Sequence, residues 1–312
     1  MALFYLQISS LARNQGRRAT AAAAYRAGMK IRDERSGDLH NYARRKDVLH
    51  TEIMLPSGVA GQAPEWTRDR AQLWNAAERA ESRRNARVAR EWQVGLPSEL
   101  PAAQRLLLAR AFSQELADRY NIAVDLAVHE PRPGSDPRNF HAHILGTTRE
   151  ITAQGLGAKT GIDMPLAERL QRGLPSVPEE FRAIRERWAN LTNAALQTAH
   201  IDARVDHRTL QAQGIEREPQ PRLPMAALKI ERAGGFSYVA ERLRDEHRAR
   251  MALRAQSNEA APADGKQAGA LEDVRRAARE GWLRLRGEFQ GRKPSVGSGQ
   301  AAERGADDDY SP

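Results

Sequence analysis

The chain has 312 residues, 40% of them hydrophobic, enough for one domain of ordinary size plus additional material. Its 49 Lys and Arg against 40 Asp and Glu give a net charge of +9 and a pI near 10.2, a balance that favours a polyanionic partner. The lack of cysteine excludes disulfides and thiolate metal sites and fits a reducing cytoplasm; no apolar run approaches the ~20 residues of a membrane span, and residues 1–10 lack the basic opening of a secretory signal.

In chain order, residues 2–10 predict a short strand and residues 17–27 an alanine-rich helix, with Gly28 placed to cap its C-terminus. Residues 30–54 hold Gly37 and Asn41 between β-like runs, so a hairpin and a following strand are expected. Residues 66–84 read as a helix. Residues 87–96 alternate as a strand that stops at Pro97, and 101–120 form a helix with Pro101 in its first turn. Two more strands follow, 122–129 and 139–145, joined by a loop rich in Pro, Gly and Asp. Residues 151–178 look loop-rich, 178–198 helical, and 225–290 helical, basic and weakly amphipathic. Residues 291–312 have a disordered composition. The fold class expected is α+β, a mainly antiparallel central sheet flanked by helices, with a helical and then disordered C-terminal extension. The domains expected are 1–220, 221–290 and 291–312.

The two late strands carry the chemistry. Side chains alternate along a strand, so His141 and His143 point one way while Phe140, Ala142 and Ile144 point the other. In the preceding strand Ile122, Val124, Leu126 and Val128 share one face, and Ala123, Asp125, Ala127 and His129 share the other. Pairing with the apolar faces aligned brings His129, His141 and His143 together over a floor of small residues. The alternative is a cluster of solvated surface histidines. Three neutral imidazoles suit Zn, Mn, Ni or Co, with Mg unusual on ligand softness alone. Glu91 shares a strand face with Ala89 and Gln93 and is a candidate oxygen ligand or histidine partner, or else a solvated carboxylate. Asp125, four residues before His129 on the same face, is a candidate support for a ligand.

Tyr25 projects from a helix whose same face holds Arg18, Ala21 and Ala22, so one phenol stands among small residues and arginines. Packing against the helix is the plainer reading of such a tyrosine; Tyr5 and Tyr42 are next in line as phenols. The first fifty residues contain ten Lys or Arg against four Asp or Glu. Arg13, Arg17, Arg18, Arg26, Arg44, Arg45 and Lys46 are therefore candidate phosphate contacts, against the ordinary reading of a charge run as a solvated face. No Gly-x-x-x-x-Gly-Lys-Ser/Thr run is present, so nothing suggests ATP use.

Taken together these motifs resemble the MobA/MobL family of plasmid mobilisation relaxases, within the wider histidine-hydrophobe-histidine (HUH) endonucleases. Four pieces carry the resemblance: the helix ending Ala24-Tyr25-Arg26-Ala27-Gly28; Asn85 to Glu91 followed by Gly95-Leu96-Pro97; Arg138-Asn139-Phe140-His141-Ala142-His143 with Thr147-Thr148-Arg149; and Arg204-Val205-Asp206-His207-Arg208-Thr209 with Gln213-Gly214-Ile215. The match covers roughly residues 2–220. Where the family pattern continues with His-Leu-Gly, this chain has Arg222-Leu223-Pro224, and at 312 residues there is no room for an appended helicase or primase domain.

The resemblance implies a relaxase that nicks one strand of DNA at a plasmid origin of transfer. Tyr25 is its nucleophile, forming a 5′-phosphotyrosyl link and freeing a 3′-hydroxyl that keeps the reaction reversible. It implies a divalent metal, Mg or Mn in use with Zn, Ni or Co as alternatives, held by His129, His141 and His143. The partners implied are single-stranded DNA at the origin of transfer, accessory mobilisation proteins and a type IV coupling protein, and the location expected for the protein itself is the cytoplasm. The alternatives are a rolling-circle replication initiator of the same chemistry, or a non-enzymatic basic DNA-binding accessory protein with a structural metal.

Overall fold

A computed structural model describes residues 2–259 apart from 133 and 216, so the expectations for 260–290 and 291–312 lie outside the described residues. The chain divides into two compact units, Met1–Arg208 and Thr209–Pro312, with the break before the expected boundary at 220.

The first unit is built on five strands: β1 (Leu6–Ala12), β4 (Val48–Met54), β5 (Arg87–Gly95), β6 (Val124–His129) and β7 (His141–Thr147). They pair in the order β1-β5-β7-β6-β4, every neighbour antiparallel. A short hairpin, β2 (Lys30–Arg32) and β3 (Leu39–Asn41), precedes β4 as expected from Gly37 and Asn41. The α+β expectation holds.

The strands are apolar on both faces because helices cover both. Trp92, Val94, Val124, Leu126, Ala142 and Ile144 face the core under α3 (Ala102–Tyr120) and α5 (Val177–Thr198). There Phe112 of α3 and Trp188 of α5 pack with ring centroids 4.9 Å apart. On the other face Leu11, Val88, Ala89, Ala123 and Leu145 meet α1 (Ala19–Ala27) and α2 (Arg70–Arg79). Burying a large apolar side chain stabilises by roughly 1.5–3 kcal/mol, so two such faces fix the register of every strand. That register also fixes the histidines, which alternate with these core residues and so face α1.

Two local expectations need revision. The helix expected over 66–84 is a 3-10 turn at Glu65–Arg68 and then α2, because the Asp69 carboxylate accepts the Gln72 N–H at 2.8 Å and starts a new helix there. The segment 151–178 is not mainly loop. It holds a hairpin, β8 (Arg149–Thr152) and β9 (Gly155–Lys159), and a short helix α4 (Leu166–Gln171). Gly155 reads as a loop residue in sequence, but with φ near +108° it turns this hairpin, and any Cβ there would lie 2.5 Å from the Trp66 ring. The helix expected over 178–198 is found as α5, which begins with a reciprocal cap in which Glu179 accepts the Ser176 N–H at 2.8 Å.

In the second unit α6 (Met225–Arg232) and α7 (Tyr238–Glu259) are joined by a bidentate pair between Arg244 and Glu231. No helix of the described residues is long and apolar enough to cross a membrane.

Candidate metal and phosphodiester site

The site forms where the C-terminal end of α1 meets the sheet. Alanines at 19 and 21–24, all buried, let α1 lie close against the strands and against α2. The helix ends at Gly28, in the left-handed region at φ +63°, and a Cβ there would sit 3.1 Å from Val48. A helix end leaves carbonyls without intrahelical partners. Here two of them are used: the Tyr25 carbonyl accepts Arg45 Nη1 at 2.8 Å, and the Arg26 carbonyl accepts His129 Nε2 at 2.7 Å.

The sheet brings the three histidines together. In the β6–β7 ladder His129 stands directly opposite His141, and His143 is opposite Ala127, the small floor residue. Ring centroids are 5.3, 5.0 and 5.3 Å apart, and each ring offers a nitrogen, all within 4.8 Å of one another. Each imidazole also has one nitrogen committed as a donor. His143 Nδ1–H donates to Glu91 Oε1 at 2.7 Å, His141 Nδ1–H to the Asn139 carbonyl at 2.9 Å, and His129 Nε2–H to the Arg26 carbonyl. A donor bond of this kind fixes the tautomer and aims the other nitrogen's lone pair. Burial pushes His129 down to about 3 and His143 to about 4, and lowers His141 too, so all three are neutral near pH 7. Three neutral imidazoles with oriented lone pairs fit a divalent transition metal.

Glu91 is itself held. Arg26 clamps it bidentately, Nε to Oε1 at 2.6 Å and Nη2 to Oε2 at 2.7 Å, with both residues buried. Burial alone would raise the Glu91 carboxyl, but the Arg26 guanidinium and the His143 hydrogen bond hold it far below the usual carboxylate range. Of the two roles open to it in sequence, this geometry is that of the histidine's partner. Asp125 lies on the same face, but it accepts Arg70 Nε at 2.8 Å and the Trp74 indole N–H at 2.9 Å. It is a buried structural anchor for α2 and touches none of the three histidines.

Tyr25 is half-buried at the rim. Its hydroxyl accepts a hydrogen bond from Arg132, its ring meets Tyr42 edge-on at 5.1 Å, and the Arg45 guanidinium carbon lies 4.1 Å from its ring centroid. The same Arg45 places Nη2 3.3 Å from His129 Nδ1, so one guanidinium spans the phenol and the histidine cluster. Tyr42 therefore supports Tyr25. Tyr5 is half-exposed on the lead-in to β1, donating to Gln7.

The basic residues separate into two groups. Arg13 is locked to Glu78 at 2.8 Å and to three carbonyls, Arg26 to Glu91, and Arg18 to Asp38 and Ser36. Arg13 and Arg26 are therefore corrected from phosphate contacts to buried structural cations: each sits beside an acid placed by the sheet or α2, which net-charge counting cannot see. Arg17, Arg44 and Lys46 are exposed, and Arg45 belongs to the site. Sequence reasoning missed Asp47 and Arg132. Asp47 ends the basic run Arg44-Arg45-Lys46, which is a signal for a local ion pair, whereas Arg132 sits in an irregular loop and carried none.

The chain belongs to the MobA/MobL family, whose model matches residues 17–233. It is 38% identical over 256 residues to a mobilization protein MobL of Acidithiobacillus ferridurans, covering 75% of this chain and 65% of that protein. It is also 32% identical over 286 residues to a probable mobilization protein MobA of Bifidobacterium longum, covering 82% of this chain and 49% of the relative. The chain thus spans less than two thirds of the length of either relative. A solved structure described as the molecular basis of vancomycin resistance transfer in Staphylococcus aureus matches with a TM-score of 0.53 at 27% identity, over 67% of this chain and all of the other.

Proposed function

We propose that this protein is a relaxase that nicks and rejoins one strand of DNA at a plasmid origin of transfer, through a 5′-phosphotyrosyl link at Tyr25, and that it works with accessory mobilisation proteins and a type IV coupling protein. The observation that carries the reading is Arg45, whose one guanidinium lies under the Tyr25 ring and 3.3 Å from His129 Nδ1. A phenol and a triad of neutral imidazoles so linked can address the same phosphodiester.

The residues that would hold a divalent cation are His129, His141 and His143. When bound there, such an ion polarises the non-bridging phosphate oxygens and offsets charge in the transition state. The chain's own groups do the rest. A phenol is a weak nucleophile at neutral pH, so its oxygen needs cations beside it. Arg132 donates to that oxygen and holds it in place at the rim of the site. As the Tyr25 oxygen bonds to phosphorus its proton passes to water. The P–O3′ bond breaks with its electron pair on the 3′-oxygen, which takes a proton from water. Reversal of the same step rejoins the strand. Exposed Arg17, Arg44 and Lys46 supply non-specific grip on the backbone.

Membership of the MobA/MobL family favours mobilisation over replication initiation, which uses the same chemistry. The test is incubation with Mn and labelled single strands tiling the DNA that flanks the gene. A covalent, denaturant-resistant adduct that disappears in Tyr25→Phe while single-strand binding persists is the expected result. An adduct that survives Tyr25→Phe moves the nucleophile elsewhere; the absence of any adduct from the wild type favours a non-enzymatic DNA-binding protein.

A further inference from the structure

We propose that Asp47 is a positioning residue for strand cleavage, clamping Arg45 at the Tyr25 ring and Arg132 at its hydroxyl; this rests on the reading of Tyr25 as nucleophile. Three separate pieces of chain meet here: α1, the loop leading into β4, and the loop between β6 and β7. The Asp47 carboxylate takes both forks of Arg45, Nε at 2.9 Å on Oδ1 and Nη2 on Oδ2, while Arg132 Nε lies 3.6 Å from Oδ2. Arg45 in turn supports the Tyr25 ring and carbonyl, and Arg132 donates to the Tyr25 hydroxyl.

The physical need for an acid at this point is plain. Two guanidiniums converge on one phenol, and one of them also touches His129, at the edge of the imidazole cluster. Without a counter-charge they repel each other and would repel a cation on the histidines. Asp47 cancels one of the two charges. Its bidentate hold also fixes a flexible side chain in a single plane, which a point contact could not do. Burial would raise the Asp47 carboxyl, yet the hydrogen bonds and charge of Arg45 bring it down to about 2, so the clamp is ionised wherever the enzyme works. Arg45 and Asp47 are largely buried, at 12% and 13% side-chain exposure, while Arg132 is 44% exposed and faces the solvent from which a strand arrives. The buried pair is the fixed base, and Arg132 is the arm set at the reacting oxygen.

The experiment is a double-mutant cycle on the full chain, read as the single-turnover rate of adduct formation on the strand found by tiling, alongside its dissociation constant. Misplacing a group by about 1 Å can cost on the order of 100-fold. Asp47→Asn and Arg132→Gln should each slow cleavage about 10- to 100-fold, with strand affinity within about threefold of wild type. The double variant should lose less than the product of the two single losses, because Asp47 acts in part through Arg132, and Asp47→Glu should recover part of the rate. A purely structural Asp47 gives additive losses, and that outcome overturns the proposal, as does an Asp47→Asn protein cleaving at the wild-type rate. Should Asp47→Asn fail to fold, the exposed Arg132→Gln decides by itself: an unchanged rate refutes the clamp. A wild type that forms no adduct refutes the relaxase reading instead, which keeps the two failures apart.

Discussion

Replacing Glu91 by glutamine tests the arrangement behind His143, because it keeps the shape of the side chain and removes only its charge. In the native protein Glu91 accepts three hydrogen bonds of 2.6–2.7 Å, two from Arg26 and one from His143 Nδ1. Glutamine can accept on one oxygen only, and its amide presents N–H to a donor. Weakening the partner of a metal-binding histidine typically costs 10- to 100-fold in metal affinity, or about 1.4–2.7 kcal/mol. The fold should suffer as well. Arg26 would stay buried beside a neutral amide, keeping its bond to the Ala22 carbonyl at 3.1 Å, and breaking a buried pair costs about 3–5 kcal/mol. Glutamine's remaining acceptor puts the expected loss near the lower end. At about 2–4 °C per kcal/mol for a unit of this size, the melting temperature should drop by roughly 6–12 °C. Calorimetric titration with Mn and thermal denaturation of the metal-free protein measure the two effects. Unchanged Mn affinity would refute the orienting role. Loss as complete as in His141→Ala would instead make Glu91 a ligand.

Further expectations follow from the same geometry. The metal-free protein should lose stability as pH falls from about 6.5 towards 4: His129 and His143 titrate near 3 and 4 when folded but near 6.5 when unfolded, so the unfolded chain binds more protons in that window. A melting temperature that is flat or rises on acidification would contradict this. Gly28→Ala forces a side chain into the left-handed region against Val48, which should cost about 1–2 kcal/mol and be visible in denaturant melts. Arg44→Gln and Lys46→Gln should each lower the salt dependence of single-strand binding by about 0.7 in log–log slope, whereas Arg13→Gln should leave that slope alone and destabilise the fold, since it strands buried Glu78. A chain ending at Gln220 retains the whole first unit, and it should fold, bind Mn and form the adduct, with weaker and less salt-sensitive DNA binding; insolubility would show that later residues belong to the fold.

The sheet was legible because its strands are read twice. In 122–129 and 139–144 the apolar residues alternate with the site residues, so the pattern that identifies the strand also says which side chains share a face. The Gly28 cap was legible for a similar reason, since glycine after an alanine-rich run has one main structural use. The 151–178 segment was not, because its glycines sit where Trp66 and a hairpin need them, and proximity to Trp66 depends on a partner over eighty positions away in sequence. The same limit explains the arginines. Arg13 and Arg26 look like solvated positive charge until Glu78 and Glu91 are placed beside them by elements 65 residues distant.

The part of the site that remained hidden is the part that links its two legible halves. The histidines follow from strand periodicity, and Tyr25 stands out as one phenol on an alanine-rich helix. What joins them is the ragged C-terminal end of α1. Its last carbonyls lack helical partners, and a helix terminus favours cations and N–H donors. The Tyr25 carbonyl therefore seats Arg45 and the Arg26 carbonyl seats His129, and the two side chains meet at 3.3 Å. A phenol one residue earlier or later on this helix would point about 100° away from both. The helix must accordingly stop where it does, and Gly28 is what stops it. Capping, usually a matter of stability, here sets the distance between a phenol and a triad of imidazoles.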